Sequence, residues 1–325
     1  MRTAAALCRD RDSLFKRTEE IATRGRSKNE RIARIIRDLR RDYPLNEILA
    51  AVHFPKSTFM YWQKQFQQED PDLALKAIID AIREDHPNYG YRRILAVLRN
   101  RGIVVNKKKL QRIIQKFKLQ VRSYARKSRK YSSYRGVKGH IEKNRLHRRF
   151  TSTKPHQKIT TDTTEFKYYE LDEGGVIRIR KLYLNPFLDL YNREIISYSI
   201  SPTPSAESIL EAQKKAIEVT ADAQFRRTFH SDRGWGYQMR AYQHALKSNN
   251  IFQSMSRKGN CYDNAPMETF FGILKQEIYY GKTYHSYQEL ADAIIQFIEY
   301  YNVDRIKEKL GWQSPISYRL ANQTA

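Results

Sequence analysis

Three carboxylates far apart along the chain have the residue types and the settings for phosphodiester chemistry: Asp162 in QKITTDTTEFKY, Asp232 in FHSDRG, and Glu268 in GNCYDNAPMETFFGILKQE. Thirty-five residues separate Asp232 from Glu268. Carboxylate oxygens are hard ligands that suit Mg²⁺ or Mn²⁺, and neither a cysteine nor a histidine cluster competes for a metal. Two such ions held by all three side chains would activate an attacking hydroxyl and stabilise a leaving oxygen. Each residue alone has an ordinary reading. An Asp at a strand end is usually a turn or cap residue, and a Glu in the first turn of a helix usually complements the dipole. The combination favours catalysis.

The surrounding pattern places all three on regular elements. QKITTDTTEFKY, rich in Thr, Tyr and Phe, predicts a strand. RRTFHS predicts a second strand that ends at Asp232, ahead of Gly234 and Gly236. Asn264 is a good N-cap and Pro266 is tolerated in a first turn, so a helix is expected over Met267–Tyr279. Steps of three and four residues put Glu268, Phe271 and Lys275 on one face, and Lys275 would reach a DNA phosphate. Gly259 and Asn260 suggest a flexible approach to this helix.

SDRGWGY, GNCYDNAPMETFFGILKQE and YYNVDRIKEKLGWQSPISYR resemble the transposases of bacterial insertion sequences, in the group whose catalytic domain is similar to retroviral integrase. The chain looks like the second-reading-frame, OrfB-type product of the IS3 family. The resemblance is specific over residues 158–319 and visible over 30–120. It implies a ribonuclease-H-like fold and a DDE metal site at Asp162, Asp232 and Glu268, with Lys275 as the basic residue on the Glu helix. It also implies two Mg²⁺ or Mn²⁺ ions per site. DNA end nicking would be followed by joining of the freed 3′ hydroxyl, through a circular intermediate that later inserts. In this group the product is commonly fused by frameshift to an upstream partner.

The 325 residues carry 60 Lys+Arg against 35 Asp+Glu, a net charge of +25, unevenly spread. Residues 1–150 hold 38 against 15, while residues 151–325 are nearly neutral at 22 against 20. Segregated positive charge points to a nucleic-acid-binding arm on a near-neutral domain. The two cysteines, Cys8 and Cys261, have no paired spacing, which argues against a cysteine zinc site and for a reducing, cytoplasmic setting, here a bacterial nucleoid. No run reaches the ~18 apolar residues of a membrane span, and the N-terminus has no signal-peptide core.

The expected organisation runs as follows. Residues 1–26 form an N-terminal extension, frayed helix or disorder. Residues 27–69 form a helix-turn-helix: Ile32, Ile35, Ile36 and Leu39 make one stripe, and Leu45, Ile48, Leu49 and Val52 a second. A third helix, capped by Ser57, buries Phe59, Trp62 and Phe66 and presents Lys56 and Lys64 to DNA. Residues 70–121 form a second helical DNA-binding module. There Arg92, Arg93, Lys107, Lys108, Lys109 and Arg112 are candidate phosphate contacts, and Asn106 caps KKKLQRIIQKFKL. Residues 122–155 form a basic linker in which Arg126, Lys127, Arg129 and Lys130 would order on DNA among stacking tyrosines.

The catalytic domain is expected over 156–285 as a mixed α/β sheet flanked by helices. Pro186 suggests an edge or bulge, Ser205 a helix cap, and Asp189 a structural carboxylate. Residues 286–325 would cap it, with Leu290, Ile294, Ile295 and Ile298 buried. The partners expected are double-stranded DNA (element inverted repeats and target) and a second copy of the chain, since two ends must be handled together. Two rival functions remain: a nuclease on the same fold that never joins, and a non-catalytic DNA-binding regulator.

Overall fold

The computed structural model describes residues 28–121, 140–172 and 174–323, in two compact units divided after Ala81. In the first unit, α1 (Lys28–Leu39), α2 (Leu45–Ala51) and α3 (Lys56–Gln67) close around Ile32, Ala33, Ile36, Ile48, Leu49, Phe54 and Phe59. The helical stripes expected from the sequence account for this core. Ser57 does not cap α3: the helix already begins at Lys56, behind Pro55, whose φ of −64° suits the entry to a helix. Helix α4 (Leu73–Asp85) crosses the boundary between the units.

In the second unit, α5 (Tyr91–Asn100) and α6 (Lys107–Lys116) pack on each other, and Asn106 caps α6 by accepting the Lys108 N–H at 2.9 Å. The sheet comprises β1 (Lys158–Thr161), β2 (Thr164–Leu171), β3 (Ile177–Asp189), β4 (Ile195–Ser201), β5 (Thr228–Ser231) and β6 (Phe252–Met255). Strand β3 pairs antiparallel with β4 on one edge and with both β1 and β2 on the other. Strands β1, β5 and β6 are parallel neighbours. Helix α7 (Ala206–Val219) follows β4, with Ser205 as its cap, and α8 (Arg240–Ser248) joins β5 to β6. Then come α9 (Ala265–Leu274), continued by a π-turn over Lys275–Tyr279, α10 (Tyr287–Val303) and α11 (Pro315–Gln323).

Two clusters of apolar side chains sandwich the sheet. One gathers Leu182, Leu184 and Leu188 with Met267, Phe270 and Leu274 of α9 and Ile294, Phe297 and Ile298 of α10. The other gathers Ile159, Phe187 and Phe229 with α7 and α8. Ile295, expected inside, is 40% exposed, because the buried face of α10 runs through Leu290, Ala291, Ile294, Phe297 and Ile298 and leaves it outside.

Strands β1 and β2 hold the same register against β3: Thr161 lies opposite Phe187, and Thr164 opposite Leu184. They are one strand interrupted at Asp162 and Thr163, which fall opposite Pro186 and Asn185. Proline has no N–H for the ladder, so the interruption lies where the bond cannot form. Pro186 is therefore not on an edge strand, since β3 is flanked on both sides, although the β3–β4 ladder does shift register between Phe187 and Leu188.

Candidate active site at the ends of two parallel strands

Asp162 and Asp232 are the first residues beyond β1 and β5. The β1–β5 ladder pairs Ile159 with Phe229 and Thr160 with His230, so continuing it puts Asp162 beside Asp232 on one rung. Neighbouring strands lie ~4.8 Å apart, which brings the two acids within strong mutual influence. Both are half-buried. Asp162 Oδ1 accepts the Thr163 N–H and Asp232 Oδ1 accepts the Gly234 N–H, each at 2.8 Å.

The third carboxylate arrives on α9, and the start of that helix is fastened to β1. The Asn264 side chain accepts the Thr160 hydroxyl and donates to the Thr161 carbonyl at 3.0 Å. Asn264 stands at the N-cap position, yet its side chain makes no cap bond. It is used to dock the helix on the strand that carries Asp162. Glu268 sits in the first turn, half-exposed.

Electrostatics ties the trio together. Burial holds the Asp162 carboxyl well above the usual carboxylate range, and the charges of Asp232 and Glu268 push it further up. The Thr163 N–H and the Lys275 ammonium oppose this. Burial also raises Asp232, against the pull of the Gly234 N–H. Among the described residues, no three His, Cys, Asp or Glu side chains stand close enough to share a metal ion. Asp162 and Asp232 stand at strand ends, and Glu268 on a half-exposed helical turn.

Several residues that the sequence reading passed over complete the site. The Tyr237 hydroxyl lies 3.3 Å from the Thr163 hydroxyl, and burial followed by the charges of Asp162 and Asp232 keeps it protonated. Asp263, fully buried, accepts Arg257 through Nε, Nη2 and the backbone N–H, each at 2.9 Å. It also accepts Arg148 Nε and Asn144 Nδ2 at 3.0 Å. Its carbonyl meets Nε2 of buried His230 at 2.9 Å. The stretch around Gly259, expected to be a flexible approach, is thus braced from three sides. A lone Asp beside an Asn gave no sign of this, because its arginines lie 6 and 115 residues away.

The other predicted residues fall as follows. Lys275 donates to the Glu165 carbonyl at 3.1 Å and lies 4.9 Å from the Phe166 ring. Lys56 and Lys64 are exposed on α3, and Lys107, Lys108 and Lys109 are exposed at the start of α6, with Arg112 half-buried. Arg92 reaches Glu308 at 3.3 Å, and Arg93 turns inward to the Ile306 carbonyl at 3.1 Å. These bonds link α5 to the C-terminal segment. Arg126, Lys127, Arg129 and Lys130 lie outside the described residues. Asp189 is structural as expected. It is buried, accepts the His156 and Tyr191 N–H groups at 2.8 and 2.9 Å, and burial raises its pKa to about 6.

Comparison with known proteins places domain models on three stretches of the chain. Two integrase core domain models match residues 152–261 and 268–323, and an HTH-like domain model matches residues 69–128. The chain is 42% identical to the putative transposase InsK for insertion element IS150 of Escherichia coli, over 90% of this chain and 98% of that protein. This chain belongs to the IS3-family insertion-sequence transposases. The transposase is also 32% identical to the transposase InsF of IS3A from E. coli, over 80% of this chain and 85% of that one. An uncharacterized transposase-like protein of Haemophilus influenzae is 46% identical over 67% of the transposase and 94% of its own length. Among solved structures, the HTLV-2 integrase catalytic core in complex with magnesium aligns with 51% of the transposase and 98% of that chain, at TM-score 0.38 and 16% identity. The family membership and the sheet order agree on a ribonuclease-H-like catalytic fold with helical DNA-binding modules ahead of it. No described helix is long and apolar enough to cross a membrane.

Proposed function

We propose that Asp162, Asp232 and Glu268 are the catalytic carboxylates of this transposase, and that they bind two Mg²⁺ or Mn²⁺ ions while it nicks element ends and joins the freed 3′ hydroxyl to DNA. The observation that carries this is the shared rung of Asp162 and Asp232, with Glu268 delivered over it by a helix docked on β1. The donor set fits: the oxygens are hard, and burial followed by the charges of Asp232 and Glu268 raises the pKa of Asp162, as expected of an acid that needs a cation to ionise beside them. When bound, the ions supply Lewis-acid activation of a hydroxyl and neutralise charge on the phosphodiester.

The chain's own part is placement. The strands fix Asp162 and Asp232, Asn264 fixes the helix that carries Glu268, and Tyr237 offers a proton donor beneath them. Lys56, Lys64, Lys107, Lys108 and Lys109 are exposed for DNA phosphates, and a second copy would hold the other end. The test offers labelled, pre-cut ends with Mg²⁺ to the wild type and to Asp162→Asn. Longer products from the wild type, lost in the variant while end binding persists, support strand transfer. Joining retained by the variant defeats the assignment. Cutting without joining in the wild type identifies a nuclease, and DNA binding with neither identifies a regulator.

A further inference from the structure

A cavity of about 540 Å³, with none of the three carboxylates in its lining, is bounded by α9, Arg93 of α5, residues 148–151, the C-terminal segment and the β3–β4 turn. Seven of its lining side chains are basic and one, Glu308, is acidic. Its floor is apolar, made by Leu188, Phe270, Ile273 and Tyr301. Among the described residues, Arg93, Arg193 and Lys307 form no ion pair. They bond only backbone carbonyls: Arg93 that of Ile306 at 3.1 Å, Arg193 that of Phe150 at 2.8 Å, and Lys307 that of Arg193 at 3.1 Å. Arg305 has a partner, Glu277, at 2.6 Å, and Glu194, the other nearby acid, is held by Arg319 at 2.8 Å.

Such an arrangement costs stability unless something neutralises it. Burial lowers the Lys307 pKa well below the usual range, and the charges of Arg305, Arg193 and Arg93 lower it further, with Glu194 opposing. Arg193 also adopts a left-handed backbone, φ 65°, which residues with a side chain adopt at a cost. Like charges crowded over a low-dielectric floor make a cleft that attracts anions. Guanidinium groups match phosphate oxygens in geometry, and several donors in one cleft favour a tetrahedral, multiply charged anion.

The geometry points to a phosphate-binding pocket formed by Arg93, Arg193, Arg305 and Lys307, separate from the carboxylate site. The phosphate is either one in a DNA backbone that runs past α9 or a free anion. The inference does not depend on metal chemistry, so its test is run on the full chain in EDTA. Orthophosphate is titrated into wild type against chloride at matched ionic strength, and Tm is read. The same is done for Arg93→Gln and Lys307→Met. End-duplex affinity is then measured across salt concentration for all three proteins.

A saturable rise in wild-type Tm, lost in both variants, supports the pocket. A salt slope of log affinity reduced by about 1 in the variants assigns the phosphate to DNA, even if orthophosphate alone gives no shift. An unchanged slope with a lost shift assigns it to a free anion. A phosphate response retained by both variants overturns the proposal, as does a wild type with no response and variants with an unchanged salt slope. The wild-type titration needs no variant to fold.

Discussion

Replacing Asp263 by Ala tests whether the brace before α9 sets both stability and catalysis. Asp263 is fully buried and accepts five hydrogen bonds, three from Arg257 and one each from Arg148 and Asn144. Hydrogen bonds to a charged group are worth ~1.5–3 kcal/mol each, but they do not add here. The side chains of Arg148 and Arg257 are 47% and 57% exposed, so water takes over both cations when the carboxylate is removed. That places the loss near the low end for breaking a buried pair, about 3 kcal/mol. For a unit of this size, Tm should fall by about 6–12 °C. Asp263→Asn keeps the shape and one accepting oxygen, and should lose about half as much.

The pH dependence has a definite sign. The arginines hold the folded carboxyl below the usual carboxylate value of 3.8, so its contribution is fully present above that value and is lost as pH falls through the depressed one. The wild-type advantage over Asp263→Ala should be flat from pH 7 to 5. Below pH ~4 it should shrink by about 1.4 kcal/mol per unit. Thermal unfolding of both proteins at pH 7, 5 and 3 measures this. A Tm within about 2 °C of wild type at pH 7, or a gap that stays constant down to pH 3, would refute the reasoning. Because Asp263 immediately precedes the residue that docks α9, strand transfer by the variant should also fall while end binding does not.

Other outcomes follow from the same structure. Glu268→Gln should abolish cleavage and joining and leave a gel-shift of the end duplex intact; loss of binding instead would make the residue structural. Asn264→Ala frees α9 from β1 at a cost of about 2 kcal/mol, and should lower the joining rate more than the affinity for DNA, read by single-turnover kinetics. His230, buried and with its pKa lowered to about 4, must stay neutral in the fold. Stability is therefore complete above pH ~6.5 and should decline by about 3 kcal/mol towards pH 4, and His230→Asn should flatten that decline in pH-resolved melts. Asn302 bonds both backbone groups of Ile195 at 2.9 Å, so Asn302→Ala should cost about 2–4 kcal/mol in a denaturant titration by stranding them.

What could be read from the sequence was what periodicity and local chemistry determine. The stripe of α1, the caps Ser205 and Asn106, and the strand ending at Asp232 depend on near neighbours. What could not be read depends on residues distant in sequence. Pro186 suggested an edge because its missing N–H has to face somewhere unpaired, and only the pairing of β3 shows that the somewhere is the break at Asp162. Asn264 had the right position for a cap, but Thr160 and Thr161 compete for its amide from 104 and 103 residues away. Nothing local to Arg93 shows that Tyr89, Asp304 and Ile306 draw its helix towards the C-terminal segment, because Asp304 and Ile306 lie more than 200 residues away.

The two kinds of tether in this site tolerate chain-length change differently. The spacing of Asp162 from Asp232 is set by hydrogen-bonded rungs, so the 69 residues between them can lengthen or shorten at the exposed turn after α7 without displacing either acid. The stretch from Asp232 to Glu268 has no such slack, because Asp263, His230 and Asn264 clip it to the sheet near its end. A peptide tag spliced after Ala221 should leave a working enzyme, while a single residue added between Arg257 and Asn264 should not.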